Sequence, residues 1–213
     1  EEKYDKVLLF VDKDNLIWEI GEPLLWMNTT ADITLNLKKE GKKVLYSQLK
    51  NKIDFAFSCL HGKFGEDAFP GLFEILDIPN NCAGVLGGAL SMDKDKQREL
   101  LKAAGLNVPK YVAITKDNKQ ITNDVNSDIG FPCIVKPARE GSSTALARPK
   151  NEEELDKAIE MAFKFDNTVL VEEVLTGKEV TTTVIGEDPP YALFPTETPA
   201  KGEYLTAQEK FLP

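Results

Sequence analysis

Histidine occurs once in the 213 residues, at position 61, and cysteine three times, at 59, 82 and 133. An odd number of isolated cysteines in apolar surroundings, with no Cys-x-x-Cys spacing, excludes a complete disulfide framework and points to a reducing cytoplasm. No apolar run approaches the length needed to cross a bilayer. The opening EEKYDK lacks both an initiator methionine and an apolar signal core, so export is not expected and the sequence reads as the start of a fragment. Positive charge is scarce as well: 26 Lys and Arg stand against 35 Asp and Glu, for a net charge of -9. That balance leaves no broad basic face for nucleic acid. Any anionic ligand would be small and met by a few local cations and backbone N–H groups. Long polar tracts, internal repeats and low-complexity linkers are absent too. With 42% apolar residues the chain has the composition of a globular protein of one large domain or two to three small lobes.

Strand and helix patterns alternate along what is present, giving an α/β protein. Lys6 to Asp12 reads as a strand ending at the Asp14-Asn15 turn, before a second short apolar run. Ile53 to Leu60 reads as another strand, stopping at the polar segment HGKFGED. Gly71 to Leu76 reads as a short helix halted before Ile78-Pro79. Leu100, Leu101 and Ala104 lie at helical spacing in a helix capped by Ser91 or Asp93 and stopped by Gly105. Asn151 with Glu154 forms a capping-box signature ahead of the apolar face Leu155, Ile159, Ala162 and Phe163. Tyr111 to Thr115, Phe131 to Val135, Thr168 to Glu172 and Glu179 to Ile185 read as strands. Lys116 to Asp128 is a polar hairpin-like excursion, and Gly186 to Pro190 a turn.

The chemistry concentrates at FPCIVKPAREGSST, residues 131 to 144. An apolar strand ends at Lys136, and a short loop with glycine and two hydroxyls follows. A lysine there supplies a point charge for phosphate oxygens, and a Gly-Ser-Ser loop lets backbone N–H groups approach them. Taken alone, the segment also reads as a surface lysine followed by a turn, because short Gly/Ser motifs recur by accident.

Four motifs in order change that reading: LHGKFGED (60 to 67), MDK (92 to 94), VKPAREGSS (135 to 143) and VLVEEVLTGKE (169 to 179). Together they resemble the D-alanine-D-alanine ligase family, and the resemblance covers nearly all of the chain. It implies an ATP-grasp fold with an incomplete Rossmann-like N-terminal lobe and a truncated C-terminal lobe. The expected division is residues 1–88, then a central subdomain at 89–173, then the start of a third lobe with the substrate loop at 174–213. Lys94 and Lys136 match the lysines that hold ATP phosphates. Glu172 matches the carboxylate at the adenine and Glu179 the one at the ribose, with backbone groups of Glu173, Val174 and Leu175 bracketing the base. Glu140, Gly141, Ser142 and Ser143 match the loop that closes over the phosphates and reaches the first amino acid. His61 and Glu66 match groups near the first D-alanine. EYLTAQEKFLP at the end looks like the family's substrate-loop motif, placing Lys210 on a phosphate-contacting lysine and Phe211 on a tyrosine. Ser142 and Lys210 are the expected catalytic residues.

Departures from the pattern carry their own expectations. Thr144-Ala145 stands where the family continues with Val-Gly, and a lost glycine restricts the loop backbone. One residue is missing where Ala68-Phe69-Pro70 leads straight to Gly71. Phe211 lacks the tyrosine hydroxyl, a change associated with acceptance of D-lactate. The implied reaction joins two D-alanines through an acylphosphate formed at the expense of ATP, for peptidoglycan precursor synthesis. Mg2+ is implied as well, with family ligands expected beyond Pro213, so no metal ligand is assigned within the chain. Since the Gly-rich loop that anchors the first D-alanine is not among these residues either, the chain alone is expected to bind nucleotide weakly if at all and not to ligate. A homodimer is implied by analogy. The competing readings are another ATP-grasp carboxylate-amine ligase and a non-catalytic nucleotide-binding module.

Overall fold

A computed structural model describes residues 3–27, 29–62, 64–117, 125, 127–141, 143–186 and 188–198. The chain divides into two compact units, residues 1–59 with 69–82, and residues 60–68 with 83–213. Among the described residues no helix is long and apolar enough to cross a membrane.

In the first unit, β1 (Leu9–Val11), β2 (Ile17–Glu19) and β3 (Lys42–Val44) form an antiparallel sheet in that order. The turn between β1 and β2 is built by Asp12, whose carboxylate accepts from the backbone N–H groups of Asp14 and Leu16, each at 2.9 Å, and from the Trp18 indole at 2.8 Å. Asn15 takes the left-handed conformation that asparagine tolerates best among residues with a side chain, at φ 59°. Helices α1 (Glu22–Leu25) and α2 (Thr30–Glu40) close the unit's core through Ile20, Leu24, Ile33 and Leu37. Helix α2 has no counterpart among the expected elements. Its apolar residues Ile33, Leu35 and Leu37 alternate as in a strand, yet Leu35 is exposed while Ile33 and Leu37, one turn apart, are buried. The Thr29 hydroxyl settles the matter by accepting from the Asp32 N–H at 3.2 Å, an N-cap.

The expected strand at 53–60 does not form. Only Ala56 makes a ladder contact, a parallel bridge to Asn80. At Ser58 the Asn81 side chain takes over, accepting from the Ser58 N–H at 2.7 Å and donating to its carbonyl at 3.2 Å. An apolar run supplies faces to bury but not a neighbouring strand, and here Phe55 and Phe57 stay exposed. The helix expected from Gly71 is α3 (Ala68–Ile75), which begins three residues earlier.

The second unit is organised by β4 (Tyr111–Thr115), β5 (Cys133–Pro137) and β6 (Thr168–Glu173), antiparallel in the order β4-β6-β5. One face packs on α6 (Glu152–Ala162): Ile114, Cys133, Val135, Val169 and Val171 meet Leu155, Ala158 and Ala162 in the unit's core. Asn151 caps α6 as expected, accepting from the Glu154 N–H at 3.0 Å. The Glu154 carboxylate reaches back one residue further than a standard capping box, accepting from the Lys150 N–H at 2.9 Å. Strand β5 runs two residues past the expected end at Val135, so Lys136 lies within the ladder opposite Leu170 instead of terminating it. Asp93 caps α5 (Lys94–Ala103) by accepting from the Lys96 N–H at 3.1 Å. Ser91 instead ends α4 (Gly84–Met92), a Gly- and Ala-rich helix with no clear apolar stripe and therefore not expected. Beyond β6, the expected strand at 179–185 resolves into β7 (Val180–Thr181) and β8 (Val184–Ile185), which pair with β10 (Thr196–Glu197) and β9 (Tyr191–Ala192).

Candidate functional site

The sheet face turned away from α6 carries the chemistry. Tyr111 is directly opposite Glu172 in the β4–β6 ladder, and Ile134 is opposite Glu172 in the β5–β6 ladder. Lys136, two residues on from Ile134, is therefore a diagonal neighbour of Glu172 on the same face, within reach of a long side chain. Its ammonium pairs with Glu172 Oε1. The other carboxylate oxygen, Oε2, accepts from Arg98 Nη2. Arg98 and Glu172 are 9% and 8% exposed at the side chain, which makes this a buried ion pair. The Arg98 guanidinium also stacks on the Tyr111 ring, 4.9 Å from its centroid.

Lys94 and Arg98 stand four residues apart on α5 and so share a helix face. The Lys94 ammonium donates to the carbonyls of Ala138 (3.2 Å) and Glu140, and the Lys94 backbone N–H donates to Ala138 as well, at 3.1 Å. Burial, then the positive charges of Lys136 and Arg98, hold the Lys94 ammonium below the ordinary lysine pKa. Arg98 and Lys136 thus share one carboxylate, and Lys94 lies close enough to both for their charges to act on its ammonium. The surplus positive charge, partly withdrawn from water, suits a polyanionic ligand.

The loop after β5 is anchored at its root. Arg139 donates to Asp166 from its backbone N–H (2.7 Å), Nε (3.2 Å) and Nη2 (2.6 Å). Burial alone would raise the Asp166 carboxyl, but the Arg139 donors and the backbone N–H of Thr168 outweigh it, and the net shift is downward. A carboxylate with a depressed folded-state pKa contributes stability that is complete above its unfolded value, near 3.8, and is lost as pH falls through the folded value. Wild-type unfolding free energy should therefore decline more steeply below about pH 4 than that of Asp166→Asn in chemical denaturation at stepped pH; parallel acid limbs would refute this.

Further along the loop, Gly141 accepts from the Thr144 N–H at 3.0 Å, and Ala147 pairs back onto Val135. Ser143 and Ala145 take left-handed conformations, at φ 61° and 49°. Ala145 occupies the position where the resemblance has glycine, so the chain keeps the glycine-like turn and carries a strain of roughly 1 kcal/mol in it.

The remaining predicted residues are placed as follows. Glu173 is tied to Lys110, its N–H donating to the Lys110 carbonyl at 3.0 Å and its carboxylate accepting from the Lys110 N–H at 2.8 Å. Val174 is half-buried, while Leu175 and Glu179 are exposed, and the Glu179 carbonyl accepts from the Thr198 N–H at 3.0 Å. His61 and Glu66 face each other at 3.8 Å, both exposed, and Glu66 also accepts from the Gly62 N–H at 2.8 Å. Their loop belongs to the same unit as the cation cluster, and the charge of its Asp67 is felt at Arg139. Ser142, Lys210 and Phe211 lie outside the described residues. Arg98, Tyr111, Arg139 and Asp166 were not anticipated. The four-residue spacing from Lys94 to Arg98 was the one available signal for the first of them.

Comparison with known proteins places the chain by family and fold. The family described as D-ala D-ala ligase C-terminus matches residues 100–213. A D-alanine--D-alanine ligase of Oceanobacillus iheyensis is 35% identical over 229 aligned positions, covering 99% of this chain and 62% of the relative. Among solved structures, the VanG D-Ala:D-Ser ligase of Enterococcus faecalis superposes with a TM-score of 0.78 at 32% identity, covering 92% of this chain and 60% of that one. The D-alanine-D-alanine ligase of Coxiella burnetii superposes with a TM-score of 0.76 at 27% identity, covering 89% of this chain and 60% of its own. The chain thus spans about 60% of the length of these three relatives.

Proposed function

The chain belongs to the D-alanine-D-alanine ligase family, and on that premise we propose that it forms the nucleotide-binding part of a cytoplasmic, ADP-forming ligase that joins two D-alanines for peptidoglycan precursor synthesis. The observation that carries this reading is the sharing of the buried Glu172 by Arg98 and Lys136, with Lys94 near enough for both charges to act on it. We place it in an ATP-grasp fold, with an incomplete Rossmann-like lobe before it and a shortened third lobe after it.

In the reaction, the carboxylate of the first D-alanine attacks the γ-phosphate of ATP and ADP leaves; the amine of the second D-alanine then attacks the acyl carbon of the resulting acylphosphate, forming the amide and releasing phosphate and a proton. Lys94 and Lys136 hold phosphate oxygens and offset the charge that builds on the transferred group. Glu172 accepts from the adenine amino group and Glu179 from the ribose hydroxyls. The Glu173 N–H is committed to Lys110, which leaves Val174 and Leu175, past the end of β6, as the backbone nearest the base. Glu140 to Ser143 close over the phosphates, with Ser142 reaching the first amino acid, which His61 and Glu66 flank. Lys210 and Phe211 act from the substrate loop. The family implies Mg2+, but among the described residues no group of three or more His, Cys, Asp or Glu is arranged to hold a metal ion. Nucleic acid and membrane are not partners in this reading, and a homodimer is its expected assembly.

Calorimetric titration of the complete protein with ATP and with adenosine tests the site. Lys94→Met and Lys136→Met should each weaken ATP about tenfold or more, the cost of a lost charge-assisted hydrogen bond, while changing adenosine little. Absence of ATP binding, or variants that bind ATP like the wild type, would overturn the assignment. Phosphate release by the complete protein should depend on D-alanine and not on L-alanine, which separates this reading from a carboxylate-amine ligase of other substrate. Depsipeptide formation on adding D-lactate would favour a role for Phe211 in choosing the second substrate.

A further inference from the structure

Glu172 faces two cations of different character. Lys136 is a point charge on a flexible four-carbon stem, whereas Arg98 presents a planar fork. Arg98 is also held on more than one side: Nη2 on Glu172 Oε2, and the guanidinium plane on the Tyr111 ring at 4.9 Å. Tyr111 is fixed in turn as the ladder partner of Glu172, with its hydroxyl donating to the Asp95 carbonyl at 3.4 Å. Arg98 is 8% exposed, and its second terminal nitrogen, Nη1, is buried with no hydrogen-bond partner among the described residues. A guanidinium accepts that loss only where the rest of its contacts fix it.

We infer that Arg98 is a positioning residue: it orients the Glu172 carboxylate and thereby sets the site's preference for a purine with an amino group at position 6. This rests on the nucleotide reading given above. A polyphosphate competes with Glu172 for Lys136, since both are anions within reach of one flexible ammonium. It has no comparable hold on Arg98, which is buried and stacked. The orientation of Glu172 therefore depends on Arg98. A fixed carboxylate accepts from a 6-amino group but opposes a 6-oxo group, which presents a second acceptor. A carboxylate free to turn away loses that discrimination.

The test is the ratio of ATP to ITP affinity, measured by calorimetry on the complete protein. Arg98→Met should lower the ratio about tenfold, the size of one aligned hydrogen bond, and Arg98→Lys should recover part of it. Tyr111→Leu, which removes the stacking without touching a charge, should lower the ratio in the same direction, whereas Tyr111→Phe, which keeps the stacked ring and loses only the long hydroxyl contact to Asp95, should lower it less. The Tyr111 variants and Arg98→Lys carry the test should Arg98→Met fail to fold. A purely structural role for Arg98 would weaken ATP and ITP equally and leave the ratio at its wild-type value, which overturns the inference alone. A complete wild-type protein that binds neither nucleotide overturns the reading on which the inference rests.

Discussion

Replacement of Glu172 by alanine should lower the unfolding free energy by about 3–5 kcal/mol, the cost of removing one partner from a buried ion pair. Glu172 serves two cations at once, and both Arg98 and Glu172 are almost fully buried. Alanine would leave Arg98 and Lys136, which share positive charge with the neighbouring Lys94, without the carboxylate they both contact. For a domain with a total stability of about 5–15 kcal/mol the loss would be a large fraction. Glu172→Gln should fall between, because the amide oxygen still accepts one hydrogen bond while the charge is gone. Urea unfolding followed by far-UV circular dichroism measures the change, and hydrogen exchange at the β4, β5 and β6 amides locates it. Both tryptophans, Trp18 and Trp26, belong to the other unit, so their fluorescence is the wrong probe. A loss under about 1 kcal/mol would mean that the cations find water or other partners and that the cluster does not depend on Glu172.

That dependence was only half visible in the sequence. Lys94, Lys136 and Glu172 were each named from motifs, because lysine before Pro-Ala-Arg-Glu-Gly and glutamate after an apolar strand are local patterns. Their meeting is not local: it depends on the register that places Glu172 opposite both Tyr111 and Ile134, and on an α5 face that carries Arg98. Register follows from which residues the sheet buries, and single segments do not state it. The same distinction separates the elements read correctly from those that were not. Strand β4 and the Asn151 cap are specified by neighbouring residues and were read directly. The run at 53–60 needed a neighbouring strand and found only Ala56 to Asn80. Helix α2 was hidden because Leu35 breaks a helical stripe, and α4 because glycine and alanine give no stripe at all. Arg139 and Asp166 are 27 positions apart, a pairing no local pattern announces.

Two adjacent glycines of α4 should respond to alanine with opposite signs. At Gly87 an added Cβ would meet nothing closer than the Ala83 side chain at 3.4 Å, ordinary contact, so Gly87→Ala should gain up to about 1 kcal/mol from helix propensity. At Gly88 the same atom would lie 2.1 Å from the carbonyl oxygen of Glu66 and 3.2 Å from its carbon. Backbone cannot swing aside as a side-chain tip does, so overpacking of about 1–3 kcal/mol or more outweighs the propensity gain, and Gly88→Ala should be destabilised. Relief requires the segment 60–67 to withdraw from α4, carrying His61 and Glu66 with it. On the proposed reading those residues flank the first D-alanine, whereas the cation cluster stands on α5 and the sheet. Gly88→Ala should therefore raise the KM for D-alanine several-fold in the complete ligase while leaving ATP affinity near the wild-type value, with Gly87→Ala as the control that changes neither. Equal losses for both substrates would show that the glycine supports the unit as a whole, and unchanged D-alanine kinetics would detach the 60–67 loop from the substrate.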